Sequence, residues 1–175
     1  RGRPILSWTL AALGRAPGLQ EIVLVIRPED RPRAEATARL AKLPSRVKVT
    51  FAAGGPRRMD SVYNGLRAAA ESSQVVLIHD AARPFPDRKA IAAAIAAAAR
   101  QGAAILAIPV RDTVKQEGAG GDAAQPRCAR TIPRQGLWLA QTPQVFRRAL
   151  ILELFERMRR EDPGTEMTDA AAVCE

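Results

Sequence analysis

The chain has 175 residues, the size of one domain with a full core; 47% are hydrophobic and 26% charged, which excludes disorder as the dominant state. A single histidine, His79, and two distant cysteines, Cys128 and Cys174, exclude a multi-histidine or Cys-x-x-Cys metal site, and no apolar run reaches the length of a membrane span. The net charge of +9 calls for an anionic partner (phosphorylated small molecule, nucleic acid or anionic membrane) or for arginines spread over solvated faces.

In chain order, Pro4 suits a first helical position, and Ile5 to Leu13 follows helical spacing until Gly14 and Pro17-Gly18 end it. Ile22 to Ile26 reads as a short buried strand. Glu29 to Leu43 reads as a charged, alanine-rich helix closed by Pro44, and Val47 to Phe51 alternates like a strand. Gly54-Gly55-Pro56 follows, and Asp60 or Ser61 is placed to cap the next helix, which carries Val62, Leu66 and Ala69. Val75 to Ile78 is the next strand, Lys89 to Arg100 the next helix, and Ala103 to Val110 another strand. Strands alternating with helices predict βαβ units, hence one doubly wound α/β layer structure.

The rhythm breaks after Val110. Gln116 to Gln125 is glycine-rich and polar, with Thr113-Val114-Lys115 before it and Arg130-Thr131-Ile132 after it, which predicts a projecting two-stranded arm at about 112–135. Leu137 to Pro143 follows, with Trp138 read as core. Then come a helix from about Gln144 to Arg160 and a capped start at Thr168-Asp169. Helical patterns run into both ends, so a single domain over 1–175, cut at both ends, is expected. The cysteine usage fits a reducing cytoplasm.

Ligands in open α/β sheets bind outside the carboxyl ends of the strands. Val75-Val76-Leu77-Ile78-His79-Asp80-Ala81-Ala82-Arg83-Pro84 is such an end: an apolar strand, an acid, two small residues and a guanidinium fork suited to phosphate. Gly54-Gly55 with Ser61 makes a second cluster, where glycine lets a base or ribose approach the backbone. Ser61 reads as a ligand contact or as a helix cap, and from the residues alone the cap is the preferred reading. Pro109-Val110-Arg111-Asp112-Thr113 makes a third, a turn that offers a hydroxyl and an amide to an anion. Their convergence on strand ends points to a nucleotide or phosphate site.

Gly-Gly-x-x-Arg-x-Asp-Ser-Val-x-Asn-Gly-Leu (54–66), Val-Leu-Ile-His-Asp-Ala-Ala-Arg-Pro (76–84), Pro-Val-x-Asp-Thr-Val-Lys (109–115), Arg-x-Gly-Leu-Trp-x-Ala-Gln-Thr-Pro-Gln-x-Phe (134–146) and Thr-Asp-x-Ala (168–171) stand in this order. The set resembles the 2-C-methyl-D-erythritol 4-phosphate cytidylyltransferases of the non-mevalonate isoprenoid pathway. The resemblance implies a Rossmann-like nucleotidyltransferase fold, a mostly parallel sheet with helices on both faces and a projecting β-arm. It implies transfer of CMP from CTP to the sugar-alcohol phosphate with release of pyrophosphate, a magnesium ion or other divalent cation, and a homodimer joined by the arm. Gly55 and Ser61 would contact the cytidine, with Gly54 shaping the turn. Asp80 and Arg83 would hold the acceptor phosphate, with Thr142 adding a contact. Thr113 and Arg134 would reach the acceptor in the neighbouring subunit's site. The resemblance supplies no protein metal ligands. It also implies a preceding Gly-rich loop ending in Pro-Lys and a later strand carrying a lysine, neither within these residues; Pro56 and Thr168-Asp169-Ala170-Ala171 depart from the pattern.

Ribitol-5-phosphate cytidylyltransferase is the runner-up, and half of a bifunctional enzyme fused to a cyclase is a related reading. A basic nucleic-acid-binding domain is the rival of another class. Only 4% of the residues are aromatic, which leaves few stacking platforms, and no helix-turn-helix or RNA-binding signature is present, so no nucleic-acid partner is expected; with no apolar run of span length, no membrane partner is expected either.

Overall fold

A computed structural model describes residues 2–120, 124–162, 164 and 169–174. The chain divides into two compact units: Arg1–Leu106 with Thr142–Glu175, and Ala107–Gln141. The first holds helix α1 (Ile5–Leu13), strand β1 (Glu21–Ile26), α2 (Arg31–Leu40), β2 (Lys48–Ala53), α3 (Arg58–Ala68), β3 (Val75–Ile78) and α4 (Arg88–Gln101). Strand β4 (Ala103–Pro109) leads out of it. Strands β5 (Val114–Glu117) and β6 (Cys128–Ile132) lie in the second unit, β7 (Trp138–Arg147) leads back, and α5 (Arg148–Glu161) follows.

Strand β1 pairs in parallel with β2, from Glu21 opposite Lys48 to Ile26 opposite Ala53. This is the pairing that strand–helix–strand alternation dictates, because a parallel neighbour needs a crossover, here α2. Glu21 ties the pair further: one carboxylate oxygen accepts from Thr50 Oγ1 at 2.5 Å and the other from the Ala70 amide at 2.9 Å. A second sheet has the order β3-β7-β4.

Side-chain alternation along β3 separates two cores. Leu77 packs with Leu10, Leu13, Ile22, Leu24 and Ile91, which come from α1, β1 and α4. Val76 and Ile78 pack with Met59, Leu66, Phe146, Ile151 and Phe155, from α3, β7 and α5. Along β7, Val145 joins Ala94 and Ala98 of α4, while Phe146 joins the α3–α5 side. Successive side chains of a strand point to opposite faces, so helices cover both sides of this sheet. Helix α4 begins with Asp87, whose side chain accepts from the Ala90 amide at 2.7 Å, and ends at Gly102 with φ +99°, a conformation glycine adopts freely.

Several sequence expectations are corrected. The helix expected over 29–43 is a 3-10 turn (Pro28–Asp30) followed by α2, which stops at Leu40, ahead of Lys42 with φ +49°. The helix after Gly54-Gly55-Pro56 starts at Arg58, so Asp60 and Ser61 stand inside its first turn rather than capping it. The helix expected from Gln144 starts at Arg148, because Trp138–Arg147 forms a ten-residue strand antiparallel to β3. Its Gln141-Thr142-Pro143-Gln144 stretch is polar and carries a proline, so local pattern hides it. Trp138, expected in the core, is 63% exposed. It stands on the β7 segment belonging to the second unit, whose strands β5 and β6 are themselves mostly exposed and form no buried layer for an indole to enter. The capped start at Thr168 lies outside the described residues.

In the second unit β5 and β6 pair antiparallel, with Val114 opposite Ile132 and Glu117 opposite Cys128. Ile108, Trp138 and Leu139 are each more than half exposed and Leu137 is 38% exposed.

Candidate functional site

The first unit assembles its chemistry where β2 and β3 end. Strand β2 stops at Ala53, and the Gly54 amide donates to the Ile26 carbonyl at 2.8 Å, so the turn leaves the sheet still tied to β1. Gly55 then passes so close to α3 that a Cβ there would lie 2.4 Å from the Asp60 Cβ, closer than real atoms approach. Only glycine fits. The Gly55 amide donates to Ser61 Oγ at 2.9 Å. Ser61 therefore closes the glycine turn, where the sequence left cap and ligand contact open.

Asp60 is buried to 8% exposure. Arg57 grips it with two bonds, Nε to Oδ2 at 2.9 Å and Nη2 to Oδ1 at 3.1 Å. Arg159 of α5 adds Nη1 to Oδ1 at 2.7 Å. The hydrogen bonds from Arg57, and next from Arg159, outweigh the cost of burial and hold the Asp60 carboxyl down to about 2.

At the end of β3, Asp80 and Arg83 form a closed turn. The Arg83 amide donates to the Asp80 carbonyl at 3.0 Å, and Arg83 Nε donates to Asp80 Oδ2 at 3.1 Å. His79 Nε2 stands 2.9 Å from the Arg83 carbonyl oxygen, to which it donates as the Nε2–H tautomer. Burial pushes the His79 pKa down, opposed by that carbonyl. Thr9 of α1, itself buried, donates to the Ala81 carbonyl at 2.6 Å. Thr142 Oγ1 accepts from the Asp80 amide at 3.2 Å, which places Thr142 beside Asp80 although they are 62 residues apart. The bond from Thr142 to Pro143 is cis, and the next residue, Gln144, is 1% exposed. Gln144 is satisfied by Asp169 Oδ2 at 3.0 Å and by the Ala170 amide at 3.1 Å.

Arg58 joins the two clusters. Its Nη2 lies 3.4 Å from Asp80 Oδ1, so Asp80 holds one guanidinium from the glycine turn and one from its own turn. Both cations are partly exposed, as is Asp80, so the pairing orients them more than it stabilises the fold. Gly54, Gly55, Ser61, Asp80, Arg83 and Thr142 are thereby connected through hydrogen bonds and Arg58. Thr113 and Arg134 belong to the second unit, both exposed and both at one end of the β5–β6 hairpin. There Arg134 Nη1 donates to the Arg111 carbonyl.

Sequence reasoning missed Arg58, Arg57, Asp60 and Arg159 as site-shaping groups. Arg58 and Asp60 had a signal, since both stand in the Gly-Gly-x-x-Arg-x-Asp-Ser-Val motif. Arg159 had none, being one of many arginines on an ordinary charged helix.

The order of these motifs, from the glycine turn through Asp80–Arg83 to Thr142, matches a known family. The family described as IspD, 2-C-methyl-D-erythritol 4-phosphate cytidylyltransferase, matches residues 1–175. The chain belongs to this family. It is 44% identical over 174 residues to the "Bifunctional enzyme IspD/IspF" of Anaeromyxobacter sp. (strain Fw109-5), covering 99% of this chain and 43% of that protein. It is 40% identical over 177 residues to the 2-C-methyl-D-erythritol 4-phosphate cytidylyltransferase of Syntrophus aciditrophicus (strain SB), covering 98% and 70%. The crystal structure of the Anaerococcus prevotii 4-diphosphocytidyl-2C-methyl-D-erythritol synthase aligns with a TM-score of 0.80 at 30% identity, covering 98% of this chain and 71% of that one. The cytidylyltransferase of Thermus thermophilus aligns at 0.74 and 35% identity, with 98% and 73% covered. The chain thus spans under half of the bifunctional relative. Membership of an IspD family, with its nucleotidyltransferase fold, displaces the nucleic-acid-binding reading, which rested on charge alone. Among the described residues, no helix is long and apolar enough to cross a membrane.

Proposed function

We propose that this chain carries the site at which CMP passes from CTP to 2-C-methyl-D-erythritol 4-phosphate, with release of pyrophosphate, in isoprenoid precursor synthesis. The observation that supports this most is the Arg58–Asp80 bridge, which joins a glycine turn fit for a nucleoside to a turn fit for a phosphate. Gly55 and Ser61 receive the cytidine, with Gly54 shaping the turn. Asp80 and Arg83 hold the acceptor, and Thr142 steadies Asp80 through its amide.

The chemistry asks for no nucleophilic side chain. An oxygen of the acceptor phosphate attacks the α-phosphorus of CTP and forms the new P–O–P link. The bond from the α-phosphorus to the bridging oxygen breaks, and its electron pair leaves with pyrophosphate. Both reactants are anions, so the protein's task is to position them and spread the developing charge. Arg58 and Arg83 are held by Asp80 before any ligand arrives, which lowers the cost of orienting them.

Magnesium enters only as a companion of the nucleotide. Among the described residues no three His, Cys, Asp or Glu side chains gather to hold a metal ion, so the residues present do not form a cage for it. A triphosphate supplies oxygens of the kind magnesium takes.

The protein works as a homodimer in the cytoplasm in this reading. Exposed Ile108, Leu137, Trp138 and Leu139 in the second unit offer an apolar patch to a second copy. Thr113 and Arg134 then serve the partner's acceptor site. Cys128 and Cys174 are both exposed thiols, which fits a reducing compartment. The 43% coverage of a bifunctional relative supports a second reading, in which this chain is the cytidylyltransferase part of a longer enzyme with a cyclase. A pyrophosphate-release assay of the full-length protein with CTP and magnesium tests the proposal. Turnover with methylerythritol phosphate is expected. Turnover with ribitol 5-phosphate alone would transfer the site to the runner-up.

A further inference from the structure

We propose that Arg159, on α5, is a positioning residue for the nucleotide: acting through Asp60, it holds the Gly54–Gly55 turn and Ser61 in the form that receives cytidine. This inference rests on the cytidylyltransferase reading and deepens it.

Asp60 forms the back wall of the turn. Its Cβ stands where a Gly55 side chain would be, and its backbone lies within 3.3 Å of the same point. Any shift of Asp60 therefore moves Gly55, whose amide is held by the next residue, Ser61. A buried carboxylate stays in place only while its charge is compensated. Arg57 compensates it from within the turn itself, and that contact travels with the turn. Arg159 is the guanidinium that reaches Asp60 from a distant element, 99 residues away. Through this carboxylate it anchors the turn to α5.

Arg159 is itself held. Its guanidinium lies over the Tyr63 ring, 4.7 Å from the centroid. Tyr63 stacks on Phe155, with centroids 6.3 Å apart. Phe155 is 1% exposed, so the column from Phe155 through Tyr63, Arg159 and Asp60 to Gly55 starts in the core and ends at the nucleotide turn. The bond-making step described above uses none of these side chains. A second ion pair between the same helices, Arg67 to Glu156 at 3.5 Å, has partners at least half exposed and stands apart from Asp60. It separates a positioning role from a general bond between α3 and α5.

The test uses the full-length protein and CTP as the probe, with binding read by calorimetry and turnover by pyrophosphate release. Arg159→Ala is expected to weaken CTP binding and raise the CTP KM about tenfold, while the acceptor KM changes less than about twofold. Arg159→Lys, which keeps the charge, should recover most of the loss. Arg159→Gln keeps part of the stem and a polar end without the charge, and serves if the alanine variant fails to fold. Glu156→Ala should leave both the melting temperature and the CTP affinity close to wild type, since that pair is exposed. Wild-type affinity in both Arg159→Ala and Arg159→Gln overturns the inference, as does an equal loss in Glu156→Ala. A wild-type protein that binds no CTP overturns the cytidylyltransferase reading itself, and this inference with it.

Discussion

Arg83 has a guanidinium 46% exposed and aimed by Asp80, so it is available to an incoming phosphate at little cost in desolvation. Arg83→Ala in the full-length protein should raise the acceptor KM far more than the CTP KM. The loss of a charge-assisted bond is worth about 1.5–3 kcal/mol, or roughly one to two decades in acceptor use. Equal losses for both substrates in steady-state kinetics would move Arg83 away from the acceptor. His79 makes a second case. Burial lowers its pKa from the ordinary 6.5, so between 6.5 and the lower folded value the unfolded chain binds a proton that the folded chain does not. Stability contributed by neutral His79 is therefore present above 6.5 and falls as the pH drops through that window. The chain has one histidine, which leaves the window clear of others. Thermal melts from about pH 7.5 to about 5.5 should show the midpoint falling in the wild type, and a flatter profile in His79→Asn. Parallel profiles would remove His79 from the account.

Helix α5 and strand β7 show what elements owe to their partners. Phe155 of α5 is 1% exposed and packs with Met59, Leu66, Phe146 and Ile151 while backing the Tyr63–Arg159 column. Phe155→Ala should cost about 3–5 kcal/mol in urea denaturation, the range for emptying an aromatic site in a packed core. A loss under about 1 kcal/mol would mean that α5 is not a core element. The helix itself was legible, because its apolar positions recur with helical period. Its start was not. Thr142-Pro143-Gln144 reads locally as a break, yet it continues a strand, because Gln144 finds Asp169 and the Ala170 amide. A buried amide is tolerated only where both its ends are bonded, and those partners lie 25 and 26 residues downstream. No window of local pattern contains that information. The glycine turn was half legible. Two glycines before a helix announce a close approach, but that Ser61 bonds Gly55 rather than capping α3 depends on where the helix starts.

For the molecule as a whole, the question is whether one chain completes its own site. Thr113 and Arg134 stand together on the second unit, and the homodimer reading sends them to a partner. A mixing experiment decides this. Full-length Arg134→Ala and Arg83→Ala proteins, each nearly inactive, are combined and allowed to exchange subunits. If Arg134 acts in trans, a mixed dimer places both lesions in one site and leaves the other intact, so activity rises above the sum of the two. Exchange confirmed by mass with no rise in activity would mean that Arg134 does not act in the partner's site.

Short stretches of the chain suffice for the α/β class, the order of the motifs and the strand end bearing Asp80 and Arg83. Each is written locally, as apolar runs, helical periods, glycines and charged residues at element boundaries. Four other features exist only once the chain is folded: Arg58 bridges to Asp80, Thr142 lies under the Asp80 amide, Arg159 reaches Asp60, and Trp138 is exposed. An arginine on a charged helix looks the same to its sequence neighbours whether it faces water or a buried carboxylate. Only the packing of distant elements brings Asp60 within 2.7 Å of Arg159 and leaves that carboxylate largely shielded from water.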